Sequence, residues 1–478
     1  MHQRVRGLAV ATTIATFVAH AEASAPAYTI LDLTPDGYSS SVAYDINGHG
    51  DVVGLATRFV GESAETNYFI YDASTGLSET FGSGVVVPRG SIVETGFRMA
   101  AVNDHDRVAG TARFLGGASE SRGFIWDRDT GTFTDLGTLP GATATGIRPA
   151  SDALDINASN VAVGTATSGA GIIPGESDNI DIYVADGPPI GDLDLDLDTT
   201  VGTRGDFGRA INDAGLVAGR SSAKVAATFS GSTTTSILAG SAFAGTLSTA
   251  VDLNESGDVA GTLLTTSDAF VTDGGTGTVT ILPQIGTGAR MAARGINESG
   301  DVVGVGDRSA SLSGEARGFV YDAGEADSFI LEDRTIFTGS DTTGLSDWLL
   351  LRDAWAINDD GWIVGEGERR FTGSSFPNDR AYLLIPATPG DTDGDGDVDL
   401  ADFGTLRSNF GLDVTGPGNA DFDGDGTVTL ADFGILRANF GSSSDLAVID
   451  AWHATVIPEP SSMLAVIGFA GLTLRRRR

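Results

Sequence analysis

Two twelve-residue stretches near the C-terminal end concentrate oxygen-bearing side chains at a spacing that metal chemistry needs. The first, DTDGDGDVDLAD, places Asp391, Asp393, Asp395, Asp397, Asp399 and Asp402 at positions 1, 3, 5, 7, 9 and 12. Gly396 stands at position 6, where such a loop must turn sharply, and apolar Val398 at position 8 suits a short strand pairing two loops. Position 7 supplies its backbone carbonyl, so the Asp397 carboxylate is not expected to be a direct ligand. The second copy, DFDGDGTVTLAD, begins 30 residues later. It offers Asp421, Asp423, Asp425, the Thr427 carbonyl, Thr429 through a water, and Asp432, with Gly426 again at position 6. Oxygen-only ligands in this order suit calcium, which takes roughly six to eight of them. About two Ca²⁺ ions are therefore expected. Six carboxylates in twelve residues repel one another strongly unless a cation neutralises them. In so small a unit the metal supplies much of the folding energy. Affinity is expected at about 10⁻⁴ M or somewhat tighter, as in extracellular modules.

Each loop runs into a nearly identical segment, LADFGTLRSNFG or LADFGILRANFG. Leu400, Phe403, Leu406 and Phe410 fall at helical spacing, and Leu430, Phe433, Leu436 and Phe440 repeat it. Both sets are expected to form a core between two helices. Two loop–helix units without an entering helix, with Asp rather than Glu at position 12, resemble a type I dockerin over residues 390–441. The resemblance implies calcium-dependent folding and docking onto a cohesin-like surface protein. Leu400-Ala401 and Leu430-Ala431 occupy positions 10 and 11, where dockerins often carry hydroxyl residues for partner contact.

The larger part of the chain is built on a phrase that recurs seven times, anchored on Asn47, Asn103, Asn157, Asn212, Asn254, Asn297 and Asn358. An aliphatic residue precedes every one. Three residues after each comes Gly, Asp or Asn, the types that tolerate a left-handed backbone. Seven residues after each comes glycine. The phrase reads as strand, Asx-type turn, strand, with a close backbone approach at the glycine. Aromatic and β-branched runs follow, such as Tyr68–Asp72, Phe124–Asp127, Phe270–Asp273 and Phe319–Asp322, and then a further short strand. Each unit thus holds about four strands, the content of a propeller blade. The last unit lacks its final strand, and Tyr28–Leu33 resembles the missing element, so a terminal strand is expected to close the ring. The expected fold is mainly β: a seven-bladed β-propeller over 26–388, followed by a small α-helical dockerin-like calcium module at 389–442. A right-handed β-solenoid is the rival architecture. The phrase also resembles the HAF repeats of bacterial extracellular proteins, which implies location rather than chemistry.

Composition bounds the function. Cysteine is absent, which excludes disulfides, thiol catalysis and thiolate metal sites, and five scattered histidines form no metalloenzyme motif. A net charge of −35 repels nucleic acid, so no nucleic-acid partner is expected. Asp192, Asp194, Asp196 and Asp198 alternate with leucines; they could hold a cation on one strand face, although a solvated edge is the simpler reading. Trp348, Trp355 and Trp362 could stack a sugar, with core packing as the plainer role. No catalytic constellation stands out. The leading reading is a calcium-binding surface or matrix protein whose propeller is a scaffold for binding, with no catalysis evident. The alternative is a dockerin-bearing carbohydrate-active enzyme, a polysaccharide hydrolase or lyase on the propeller.

Both ends carry targeting features. Residues 1–25 combine a basic start, an apolar stretch and Ala23-Ser24-Ala25, the pattern of a cleaved signal peptide. After a linker at 443–455, residues 456–478 place Pro458-Glu459-Pro460 before an apolar run and Arg475–Arg478. That order resembles a PEP-CTERM sorting signal. It implies a transient membrane tail, cleavage by an exosortase-type protease, and delivery to the surface or matrix of a Gram-negative-type bacterium.

Overall fold

The structure, a computed structural model, describes residues 27–441 apart from 62, 82–91, 95–99, 116–119, 138–149, 168–179, 186–194, 197–206, 222, 231–232, 288–289, 308–315, 338–347 and 371–376. The expected signal peptide, linker and sorting signal lie outside the described residues. So does most of the Asp–Leu alternation, of which Leu195–Asp196 forms a short strand.

The first unit shows how the repeated phrase folds. Strands Ser40–Ile46, Val52–Val60, Ser63–Asp72 and Leu77–Phe81 pair antiparallel in sequence order. Between the first two, the Asn47 side-chain oxygen accepts the amides of His49 (3.0 Å) and Asp51 (2.9 Å), folding the chain back. Gly50 closes that turn at φ +85°, and the equivalent Asp106 and Asn160 take φ 54° and 63°, the left-handed state expected from their types. At Gly54 an added Cβ would lie 2.1 Å from the Val42 carbonyl oxygen; at Gly365 it would lie 2.0 Å from that of Asp353. The invariant glycine is therefore a steric requirement of the strand pairing.

Six sheets are each built from one continuous stretch of chain, spanning 40–81, 92–137, 151–196, 207–236, 248–281 and 291–330. A further sheet is composite. Strands Trp348–Ile357, Ile363–Arg369 and Asn378–Pro386 are completed by Tyr28–Asp32, which pairs antiparallel with Asn378–Pro386, and by Thr335–Ile336 outside it. The sheets form a β-propeller arrangement, and the N-terminal strand closes it. This corrects the expectation of a seven-bladed propeller: the arrangement has six self-contained blades, not seven, and the closing sheet is assembled from three separate parts of the chain. The sheet at 92–137 also departs from the four-strand plan, with Ile92–Glu94 and Ala101–Val102 both pairing Arg107–Leu115.

The asparagines do more than turn the chain. Each side-chain amide donates to the backbone carbonyl of the next ring asparagine, from Asn47→Asn103 (3.2 Å) and Asn103→Asn157 (2.8 Å) through Asn157→Asn212 (3.0 Å) and Asn212→Asn254 (3.3 Å). Asn254→Asn297 (3.1 Å), Asn297→Asn358 (3.3 Å) and Asn358→Asn47 (3.1 Å) complete the circle. All seven are buried. Apolar faces fill the spaces between sheets, as where Val53 and Tyr68 meet Val108, Phe124 and Trp126. The Tyr68 hydroxyl bridges the same interface, donating to the Thr111 carbonyl at 3.0 Å and accepting its amide at 3.1 Å.

After Pro386 the chain enters the second region. Helices Leu400–Asn409 (α1) and Leu430–Asn439 (α2) follow the acidic loops, each started by a reciprocal capping box, Asp399 with Asp402 and Thr429 with Asp432. Phe403, Leu406, Phe433 and Leu436 are buried with Val398, Ala420, Phe422 and Val428, and Phe410 and Phe440 pack against them. Leu400 and Leu430 depart from expectation, being 43% and 45% exposed. They are the first residues of their helices and point away from the shared core.

Candidate metal centre

The two loops bury their first and last carboxylates and leave those between them exposed or half-buried. Asp391 and Asp421 are each 1% exposed, and Asp402 and Asp432 are equally hidden at the loop ends. Gly394, Gly396, Gly424 and Gly426 adopt φ between 74° and 94°, curling the backbone round these groups. Asp391 accepts the amides of Asp393 (3.1 Å), Gly394 (2.6 Å) and Gly396 (3.0 Å). Asp402 accepts those of Thr392 (2.6 Å) and Asp399 (2.7 Å), and Asp432 those of Phe422 and Thr429 (both 2.7 Å).

Carboxylate oxygens of Asp391, Asp393 and Asp395 lie within 4.8 Å of one another, as do those of Asp421, Asp423 and Asp432. Burial, then the neighbouring carboxylates, push Asp393 above the usual carboxylate range, and burial does the same for Asp391 and Asp423. Like charges forced together in this way fit a divalent cation, which reverses the repulsion. The remaining sequence-predicted residues sit round these groups. Asp397 is exposed, and Asp425 accepts the Thr427 amide at 2.8 Å. Asp399 and Thr429 accept the Ala401 and Ala431 amides as helix caps, and Asp402 lies outside the first group of three.

One residue beside the second loop escaped sequence reasoning. Arg334, on a 3-10 turn at Leu331–Arg334, is buried and stacks over Phe329 at 4.7 Å. Its guanidinium nitrogens stand 2.3 Å from where a Gly424 Cβ would be. Burial lowers its pKa, while the charges of Asp421, Asp333 and Asp423 oppose that loss. It lines a cavity of about 310 Å³ between the propeller and the loop, with Asp333, Thr415 and Asp421. No local pattern announces it, because this turn interrupts the repeat.

Fold and site together define a β-propeller joined to a two-loop, two-helix module with clustered carboxylates. Residues 389–440 match the type I dockerin domain. Type I dockerin domains bind calcium and cohesin partners, and are typical of extracellular or cell-surface proteins. Residues 26–167 match DUF3466, a family of unknown function. No curated protein matches the chain in sequence. Similar solved structures include an acylaminoacyl peptidase from Pyrococcus horikoshii, at 12% identity and a TM-score of 0.44 over 72% of this chain and 50% of that one. This chain thus spans half the length of that peptidase. A catalytically inactive virginiamycin B lyase from Staphylococcus aureus, solved with quinupristin, gives 9% identity and a TM-score of 0.41 over 75% of this chain and 99% of that one. The β-propeller domain of the Trilobed protease from Pyrococcus furiosus gives 11% and 0.35 over 62% and 96%. Among the described residues, no helix is long and apolar enough to cross a membrane.

Proposed function

We propose that this chain is a secreted, surface- or matrix-associated protein in which a dockerin-type module at 389–442, folded by two calcium ions, attaches a binding propeller to a surface partner. The observation that carries the reading is the pair of carboxylate groups, Asp391/Asp393/Asp395 and Asp421/Asp423/Asp432, inside the segment that matches a dockerin. In the first loop, Asp391, Asp393 and Asp395 hold the ion, with the Asp397 carbonyl, Asp399 through water, and Asp402 completing the oxygen shell. Asp421, Asp423, Asp425, the Thr427 carbonyl, Thr429 through water and Asp432 do so in the second. The exposed Leu400-Ala401 and Leu430-Ala431 pairs give the partner face an apolar character, so a cohesin-like partner would meet it through apolar contacts. Residues 1–25 act as the export signal, and an exosortase-type protease processes 456–478.

Calorimetric titration of the full chain with Ca²⁺ tests the reading. Two sites per chain, with helical signal lost on chelation, are expected. Absence of binding at millimolar calcium would sink it. Mass spectrometry of protein recovered from the native host checks both cleavages.

A further inference from the structure

The two acidic loops are near copies in sequence, but the fold holds them differently. The first carries six carboxylates in its twelve residues and the second four, because Thr427 and Thr429 stand where the first has Asp397 and Asp399. The carboxylates at the first position also differ. Asp391 accepts three loop amides, at 3.1, 2.6 and 3.0 Å. Asp421 accepts the amides of Gly416 at 3.3 Å and Gly426 at 3.4 Å, a looser cradle. Gly416 and Asp421 both line the cavity of about 310 Å³ at the propeller.

The propeller meets this loop through the 3-10 turn at Leu331–Arg334 and the strand Thr335–Ile336, which lies against Pro417–Asn419. The Asp333 carbonyl oxygen stands 3.3 Å from where a Gly416 Cβ would be. Arg334 reaches further. Both of its terminal nitrogens stand 2.3 Å from where a Gly424 Cβ would be, so the guanidinium packs on the loop backbone itself. Gly424 separates Asp423 from Asp425, and Asp421 lines the same cavity as Arg334. Arg334 is 9% exposed and stacks over Phe329 at 4.7 Å, so its charge is held in place beside the loop. Asp333 lines the cavity too, but it is exposed and water screens its charge; a buried charge is screened much less. The module residues at this cavity, Thr415, Gly416, Asp421 and Gly424, belong to the second loop or lead into it.

We propose that Arg334 is a tethered cation that lowers the calcium affinity of the second loop, so that the propeller contact and the second calcium ion oppose each other. This role rests on the calcium reading of both loops. A fixed positive charge beside a cation site repels the incoming ion, and the sign does not depend on the details of coordination. Linkage makes the effect mutual: the factor that Arg334 takes from the affinity of the second ion, the second ion takes from the Arg334 contact. Before that ion binds, the same guanidinium offsets part of the repulsion among Asp421, Asp423 and Asp425 and favours contact between propeller and module. Filling of the second loop then loosens the module from the propeller, while filling of the first does not.

Calorimetric titration of the full chain with Ca²⁺, as parent, Arg334→Gln and Arg334→Lys, tests this. Glutamine removes the charge and keeps a planar polar group, whereas lysine keeps the charge. Two affinities are expected in the parent, the weaker at the second loop. Arg334→Gln should tighten the weaker site at least about fivefold, the scale of one unit charge several ångströms from a divalent ion in a largely hydrated setting, and leave the tighter site within about twofold. Arg334→Lys should keep the parent values. Adding Arg334→Gln to Asp391→Ala, which leaves the second loop to bind alone, should show the same tightening. Hydrogen exchange supplies a readout that needs no variant: in the parent, Leu331–Ile336 should lose protection as the second ion binds and not as the first does. Unchanged or weaker binding at the second site in Arg334→Gln overturns the proposal. So does equal tightening in Arg334→Lys, which would make packing rather than charge the cause, and so does protection of Leu331–Ile336 that never falls. Two ions bound alike by parent and Arg334→Gln would strike this inference alone, whereas no calcium bound by either would strike the calcium reading and this inference with it.

Discussion

The propeller and the C-terminal module both concentrate carboxylates, and they satisfy them by opposite means. In the propeller several carboxylates of the repeated phrase meet backbone amides of a neighbouring unit. Asp45 accepts the Val102 amide at 2.8 Å, Asp104 that of Gly48 at 2.7 Å, and Asp213 that of Ala158 at 2.7 Å. The acids are spread one unit apart and act as rivets between sheets. In the module three carboxylates share a space 4.8 Å across, and their amide donors come from the same short loop. Spread acids can be closed by the fold alone, whereas crowded acids need a cation.

Chelation is the harshest way to break this comparison. Adding EDTA to the calcium-loaded chain should unfold 391–441 and leave the propeller intact. At calcium a hundredfold above the dissociation constant, each site contributes about 2.7 kcal/mol, and both are forfeited together. Hydrogen exchange reads the result by region: protection should vanish in α1 and α2 and persist in Val52–Asp72. Loss of protection in both regions would mean that the propeller, too, depends on the metal.

Within the module, burial ranks the ligands. Asp391→Ala removes a hidden carboxylate that also organises three loop amides, so the first site should be lost and calorimetric stoichiometry should fall from two to one. Asp397→Ala removes an exposed carboxylate and should leave stoichiometry unchanged. Equal effects from the two substitutions would contradict the assignment of Asp397 to a carbonyl role.

A ring asparagine tests the propeller side at smaller scale. Asn157→Ala deletes the bond to the Asn212 carbonyl (3.0 Å) and the acceptor for the Val161 amide (2.9 Å), leaving buried groups unpaired. Denaturant unfolding in saturating calcium should show a loss of about 1–3 kcal/mol. Calcium affinity should not move. A change in calcium affinity would couple the two regions, and Arg334 beside Asp421 would be the place to look.

The contrast also explains what the sequence could reveal. The loops were legible because a metal site is written in consecutive residues, with spacing set by coordination geometry. The turns were legible for the same reason: Asn47, Gly50 and Gly54 act on neighbours only a few positions away. The asparagine ring was not legible, since six of the side chains find their second partner 42 to 61 residues away and Asn358 finds its own 311 residues away. Leu400 and Leu430 misled because helical spacing says which residues share a face, but not that the first turn overhangs the core. The composite sheet was half visible, through Tyr28–Asp32, but the outer strand Thr335–Ile336 carries too short a pattern to announce itself.

The finest test of the comparison is its pH dependence, because buried, amide-closed acids should behave unlike exposed ones. Asp155 and Asp252 come from alternate sheets, and burial raises them to about 6 and about 8, with Asp155 adding to the rise at Asp252. In the unfolded chain both ionise near pH 4. Between pH 4 and 8 the folded state therefore holds protons that the unfolded state has released, and stability falls as pH rises through this window. Asp72 has the opposite sign. Hydrogen bonds from Ser74, and then the Arg128 pairing, hold it down to about 2, so its contribution is present above pH 4 and is lost only as the pH drops toward 2. Propeller stability, measured in saturating calcium, should accordingly rise as pH is lowered from 8 to 5 and then fall on stronger acidification. Asp252→Asn mimics the protonated carboxyl, keeping one acceptor oxygen for the Leu253 and Ile296 amides. It should flatten the limb between pH 6 and 8 and stabilise the propeller at pH 8. An unchanged slope would show that solvent already reaches Asp252, and the division between crowded and amide-closed acids would then lie in the loops alone.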